Sequence, residues 1–181
     1  MQQTMNLKKF YQYAFPMQAT LVTCNDAQGN TNIITVAWHT TLSKQPPLYG
    51  ISLAPQRHSH DLIKTSQEFV INFMPYDQSN NVHYCGTHSG RNENKLENTT
   101  LSYYPSTNIK TPGITQAYAR FECQLHQTIP IGDHTFFIGH VVHLTSDEHA
   151  FNKEILQLTQ QQPLFYLGGN TYTNGHDHQR F

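Results

Sequence analysis

The 181-residue sequence predicts a mainly antiparallel β-sheet closed into a small barrel, with a few peripheral helices. Two observations carry this. Short runs rich in β-branched and aromatic residues outnumber helical stretches and follow one another through short turns, as hairpins do. No strand opens a helix through a glycine-rich phosphate loop, which removes the usual dinucleotide-binding domain from consideration.

The elements follow in order along the chain. Residues 4–13 predict a short helix, and 19–24 and 32–38 predict strands around the turn Asn25-Asp26-Ala27-Gln28-Gly29-Asn30. In the second of these strands Asn32, Ile34, Val36 and Trp38 alternate onto one face, so core packing is the default role of Trp38. Residues 48–53 and 69–73 are further strands, separated by a helix over 59–66, with Pro46-Pro47 marking a loop before the first. Residues 75–115 are polar and mostly loop, with one short helix near 78–84. Two long strands, 117–128 and 134–145, are joined by Ile129-Pro130-Ile131-Gly132-Asp133, and a helix is expected over 152–160.

Bulk properties narrow the function. Apolar residues make up 37% and charged residues 13%, the latter well below the roughly 25% of ordinary globular chains. One well-buried core is therefore expected, as a single domain over 1–181. Eleven Lys and Arg against twelve Asp and Glu leave no electrostatic footprint for nucleic acid or an anionic membrane. No span has membrane length, and the amino terminus MQQTMNLKKFYQYAF has no apolar stretch after its lysines to act as a secretory segment. Cys24, Cys85 and Cys123 are odd in number and lack paired metal-ligand spacing, which fits free thiols in a reducing cytoplasm. A small-molecule partner is the default.

The richest constellation runs from Leu53 to Ile63, where a strand ends and a helix begins. Free N–H groups at a helix start, the Ser59 hydroxyl and the Arg57 guanidinium together would satisfy a phosphate dianion. The plainer alternative makes Ser59 an N-cap and Arg57 a solvated charge. A second cluster, Cys85 to Arg91 followed by Lys95, has the same chemistry, although a surface loop of this composition is more often only a loop. Of the 12 histidines, His134 and His140 would share a strand face about 20 Å apart while His143 points away, so one metal ion cannot take all three. His176-Asp177-His178 reads as a solvated tail. Cys85 beside His83 and His88 lacks a third orienting group and reads as a loop thiol. A planar cofactor could use Trp38 with His39 and Thr40 at a strand end.

In this order, six pieces resemble the flavin reductase-like family, an FMN-binding split barrel that includes the flavoredoxins. They are TLVTCNDAQGNTNIITVAW (20–38), LSKQPPLYGISLAPQRHS (42–59), EFVINF (68–73), CGTHSGRNENK (85–95), GDHTFFIGHV (132–141) and PLFYLGGNTY (163–172). The resemblance covers about residues 15–172. It implies a six-stranded antiparallel split barrel working as a homodimer with FMN near the subunit interface. By matching position, Asn32, Trp38, His39 and Thr40 would line the flavin or its ribityl chain, and Ser52 and Leu53 would contact it. Arg57 and Ser59 would hold the phosphate, and Ser89, Gly90, Arg91 and Lys95 would close over it. His134 and Phe165 would lie near the isoalloxazine, with Phe165 a candidate contribution to the partner's site. Asn92, Asn94, Leu96 and His140 depart from residues common at those positions, which bears on partner specificity.

The implied activity is an oxidoreductase that passes electrons from NAD(P)H through FMN to a second acceptor. Lys95 and His134 are the candidates for tuning the flavin, and no covalent catalytic residue and no metal are expected. A non-enzymatic FMN carrier is the alternative reading, and a split barrel that binds haem or serves only as a dimerisation scaffold is a third.

Overall fold

The computed structural model describes residues 4–175. Nine strands and two α-helices organise it. The strands are β1 (Thr20–Asn25), β2 (Thr31–Val36), β3 (His39–Lys44), β4 (Pro47–Leu53), β5 (Glu68–Phe73), β6 (Ala119–Ile131), β7 (His134–Ser146), β8 (Leu164–Gly168) and β9 (Thr171–Asn174). The helices are α1 (His58–Ser66) and α2 (Ser79–Thr87). Among the described residues, seven strands form one sheet in the order β2-β1-β5-β6-β7-β4-β3, with every pairing antiparallel.

The two edge strands of that sheet, β2 and β3, are consecutive in the chain and joined only by Ala37 and Trp38. The sheet therefore curls until its edges meet, and the amide of Ser52 donates to the Trp38 carbonyl at 2.9 Å, carrying the β3–β4 ladder into that connection. This is the split barrel expected, with seven strands rather than six. The extra strand is β3, HTTLSK, which is mostly exposed and carries no apolar alternation; a turn at Gln45-Pro46 folds it onto β4.

The barrel interior is filled from both halves of the sheet by Val22, Val36, Ile51, Phe69, Ile71 and Phe137, all at most 3% exposed. A second cluster, including Leu21, Ile33, Val82 and Ile114, packs between the outside of the barrel and α2. This double coverage explains why β1 is buried along its whole length, its Thr20 and Thr23 hydroxyls donating to the Val36 and Pro112 carbonyls. Gly139 sits at a β-bulge in β7; a Cβ there would lie 2.6 Å from the Phe69 ring and 2.7 Å from Cys123 Cβ. Only glycine lets the long hairpin close on those side chains. Helix α1 stops one end of the barrel with Leu62 and Ile63, and His60 Nε2 lies 3.0 Å from Thr135 Oγ1. It ends where Gln67 takes a left-handed conformation (φ 60°) and donates to the Ile63 carbonyl, an αL cap.

Three local expectations need correction. The short helix expected over 4–13 is a 3₁₀ helix at Leu7–Ala14 with no buried residue. The β6–β7 connection is only Gly132-Asp133, because β6 runs on through Ile131. Residues 152–160 are not a helix: Phe151–Asn152 pairs with Ile155–Leu156 around Lys153 and Glu154, both at positive φ. The hairpin wins because the facing pair Phe151 and Leu156 both pack on the barrel core. Strands β8 and β9, not anticipated, form a side sheet in which β8 pairs with Met17–Gln18 on one side and with β9 on the other. Among the described residues no helix is long and apolar enough to cross a membrane.

Candidate functional site

Strand β4 ends at Leu53, and a turn closed by the Arg57 amide on the Ala54 carbonyl (3.0 Å) leads directly into α1. Arg57 occupies the N-cap position with extended backbone and makes no side-chain cap bond. Its guanidinium is therefore not spent on the helix. Ser59 is inside the first turn rather than at the cap, fully buried, and its Oγ accepts from Asn32 Nδ2 at 2.7 Å. The N-cap alternative for Ser59 is thus replaced by a tie between α1 and β2.

The second anion-favouring segment meets the first. Asn32, Arg57, Ser59, Ser89, Gly90 and Lys95 all line one cavity of about 250 Å³. At Gly90 a Cβ would fall 1.9 Å from Asn32 Oδ1, so the absence of a side chain lets the 88–91 loop lie on Asn32. Arg91 reaches back across the loop, donating from Nη1 to the Gln56 carbonyl at 2.9 Å, with Nη2 3.5 Å from Asp61 Oδ2.

Lys95 closes the cavity floor and is only 5% exposed. Two of its three N–H donors meet the carbonyls of Ile33 (2.7 Å) and Cys85 (2.8 Å). Burial pulls its pKa below the ordinary lysine value, partly offset by Cys85 and Glu93. His58, at the start of α1, is likewise lowered, first by burial and then by the Arg91 charge. Arg57 and Lys95 thus bring positive charge to a cavity at a helix N-terminus, which favours a bound anion. A larger polar cavity of about 610 Å³ adjoins it and shares Asn32, His58, Gly90 and Lys95.

Trp38 and His134 form a separate group at the barrel mouth. Their rings lie 4.8 Å apart at 34°, and Tyr11 meets Trp38 edge-on at 5.7 Å. Trp38 stands beyond the end of β2 and is half-buried, so it is not the core residue that strand alternation suggests. His134 Nδ1 is 2.7 Å from Asp133 Oδ1, and this pairing holds the Asp133 carboxyl below its ordinary pKa. A carboxylate on Nδ1 fixes the ring's orientation and leaves Nε2 for a ligand.

Several expected residues stand apart from both groups. The His39 ring turns into the barrel: Nε2 donates to the Gln18 carbonyl at 2.9 Å, so Nδ1 accepts from Tyr49 OH at 2.7 Å. Leu53 is core, Thr40 is exposed with its hydroxyl on the Thr41 carbonyl, and Ser52 enters through its backbone bond to Trp38. Phe165 is half-buried in β8, opposite Gln18 and Thr173. Lys95 joins the anion cavity rather than the Trp38–His134 group. Asp61, Gln56 and His58 are site residues to which sequence reasoning assigned no role, although all three lie in the 53–63 segment it singled out.

Elsewhere, an apolar cavity of about 520 Å³ is lined by Phe73, Tyr118, Phe121 and Phe151 among others and contains none of the expected residues. Among the described residues no three His, Cys, Asp or Glu side chains converge as a metal site. His176-Asp177-His178 lies outside the described residues.

Comparison with known proteins agrees with the fold. The model of the flavin reductase like domain matches residues 12–175. An uncharacterized protein of Pyrococcus abyssi is 36% identical over 141 residues, covering 78% of this chain and 80% of that protein. The reductase component of the FADH(2)-dependent resorcinol hydroxylase of a Rhizobium species is 27% identical over 131 residues, covering 71% and 70%. The crystal structure of an FMN-binding protein from Thermus thermophilus with bound 1-cyclohex-2-enone superposes with a TM-score of 0.83 at 27% identity, covering 100% of this chain and 98% of that one.

Proposed function

The chain belongs to the flavin reductase-like domain family, and from that premise we propose that it is a cytoplasmic, single-domain homodimer that binds FMN and transfers electrons from NAD(P)H to a second acceptor. The observation that carries the proposal is the convergence of Arg57, Ser59, Gly90 and Lys95 on one small cavity at the start of α1. Segments 31 residues or more apart, from Ser59 to Gly90, meet there, in a chemistry suited to a phosphate dianion.

Arg57 and the first amides of α1 would hold the phosphate, with Ser59 fixed in place by Asn32. Lys95 would supply an immobile positive charge behind it. That position makes Lys95 an anchor of the phosphate end, and leaves His134 as the better candidate for tuning the ring. Trp38 and His134 offer the flat surface against which a flavin ring could pack. When bound, FMN supplies the hydride-accepting ring and passes the electrons on. The protein's work is orientation, exclusion of water, and a hydrogen-bonding group at His134 Nε2.

The visible spectrum of the purified protein, before and after anaerobic NADH or NADPH, tests the proposal. Flavin bands that bleach support it. Bands that persist would indicate an FMN carrier reduced by another protein. A colourless protein that FMN does not stabilise would overturn the cofactor assignment.

A further inference from the structure

We infer that Asp61 is a positioning residue that competes with the flavin phosphate for Arg91 and so keeps the flavin exchangeable. The inference rests on the proposed FMN site and says what sets its retention.

Arg91 is fastened at two points of different strength. Its bond to the Gln56 carbonyl is short, at 2.9 Å, and ties the 88–91 loop to the turn that carries Arg57. Its contact with Asp61 is long, at 3.5 Å, between side chains 45% and 66% exposed. Exposed pairs of that kind contribute little and are screened by salt. A guanidinium has five N–H donors, so the Gln56 bond can persist while the second amino group is handed to another anion. A phosphate accepting two parallel bonds would be the stronger partner.

Asp61 also lies in the first turn of α1, where the helix end favours an anion. It therefore places a negative charge where the phosphate would gain from the same field. The carboxylate both neutralises Arg91 and repels the incoming dianion. Removing the charge should strengthen phosphate binding, whereas a merely structural anchor would weaken binding when removed.

Asp61→Asn is the discriminating variant, because an amide oxygen can keep the 3.3 Å contact that the other carboxylate oxygen makes with His60 Nδ1. The exposed position should tolerate it. FMN release would be followed by the rise of flavin fluorescence, with riboflavin, which lacks the phosphate, measured in parallel. Asp61→Asn should slow FMN release and lower its Kd about three- to fivefold, more at low salt than at high, and leave riboflavin unchanged. Adding Asp61→Asn to Arg91→Gln should recover at most a minor part of that gain. Weaker FMN binding in Asp61→Asn, or equal shifts for FMN and riboflavin, would overturn the inference. Wild-type protein that binds neither flavin would overturn the proposed function, and this inference with it.

Discussion

Asn32 and Gly90 interlock: the Asn32 amide oxygen lies where a Gly90 Cβ would be, 1.9 Å from that point, while its nitrogen donates to Ser59. One side chain therefore sets the spacing between α1 and the 88–91 loop. Gly90→Ala forces the Asn32 amide to move and breaks its bond to buried Ser59. The cost to stability should be about 1–3 kcal/mol, and FMN affinity should fall about tenfold or more. Denaturant unfolding and FMN titration check both, and unchanged FMN affinity would show that the cavity is not the phosphate site.

The site has two physically separate parts, which predicts two kinds of variant. Trp38→Leu removes the ring that lies tilted against His134. Aromatic contacts contribute about 0.5–1.5 kcal/mol beyond area burial, so FMN and riboflavin should both weaken, by a similar factor of about three to ten. Arg57→Gln removes charge from the cavity and should weaken FMN alone. Titrating the two flavins against each variant separates the roles, and parallel losses in both would refute the division.

His39 stands beside Trp38 in sequence, yet its ring is committed inside the barrel to Gln18 and Tyr49. Its pKa is lowered, chiefly by burial. Below 6.5 the unfolded chain binds the proton that the folded chain refuses, so this contribution to stability is lost as the pH falls from 6.5 through the lowered value. His39→Phe should flatten that acid limb. It should also cost about 1–3 kcal/mol at neutral pH by stranding the Gln18 carbonyl and Tyr49 hydroxyl. Thermal unfolding from pH 5 to 8 measures both, and riboflavin affinity should stay within about twofold.

How much of this was legible in the sequence depended on whether the signal was local. Strands β1, β4, β5, β6 and β7 carry β-branched or aromatic runs and were recognised to within a few residues. Strand β3 was not, because HTTLSK is held by pairing at an exposed edge rather than by burial. The hairpin at 151–156 reads locally as a helix because its determinant is a cross-strand contact between Phe151 and Leu156 on a distant core. Arg57, Ser59, Ser89, Gly90 and Lys95 could each be marked as anion-favouring from local chemistry. That they share one cavity is a consequence of the barrel's closure. Asp61 carries no distinct signal in the sequence, since an acidic residue in a first helical turn is ordinary capping electrostatics until Arg91 arrives from another segment.

The alkaline limit of stability should be led by buried thiols, with buried Tyr49 and Tyr118, raised by the same desolvation, adding to it in the same sense above pH 10. Cys24, Cys85 and Cys123 are free and buried, and burial is the first cause raising each pKa: Cys24 to about 12, Cys85 to about 11, Cys123 higher still. The unfolded thiols ionise near 9 while the folded ones hold their protons. From about pH 9 upward the folded state thus binds more protons than the unfolded, and stability falls as the pH rises toward the folded values. At pH 10 the loss is on the order of 1 kcal/mol per thiol, or roughly 2–4 °C in Tm for a chain of this size. Lys95 works in the opposite sense, because its lowered pKa adds stability as the pH climbs from that value to 10.5. Three thiols outweigh one amine, so Tm should drop steeply between pH 8.5 and 10.5. Cys24→Ala should be less stable than wild type at pH 7 but lose less on going to pH 10. A parallel decline in the two proteins would show that Cys24 does not govern the alkaline limb.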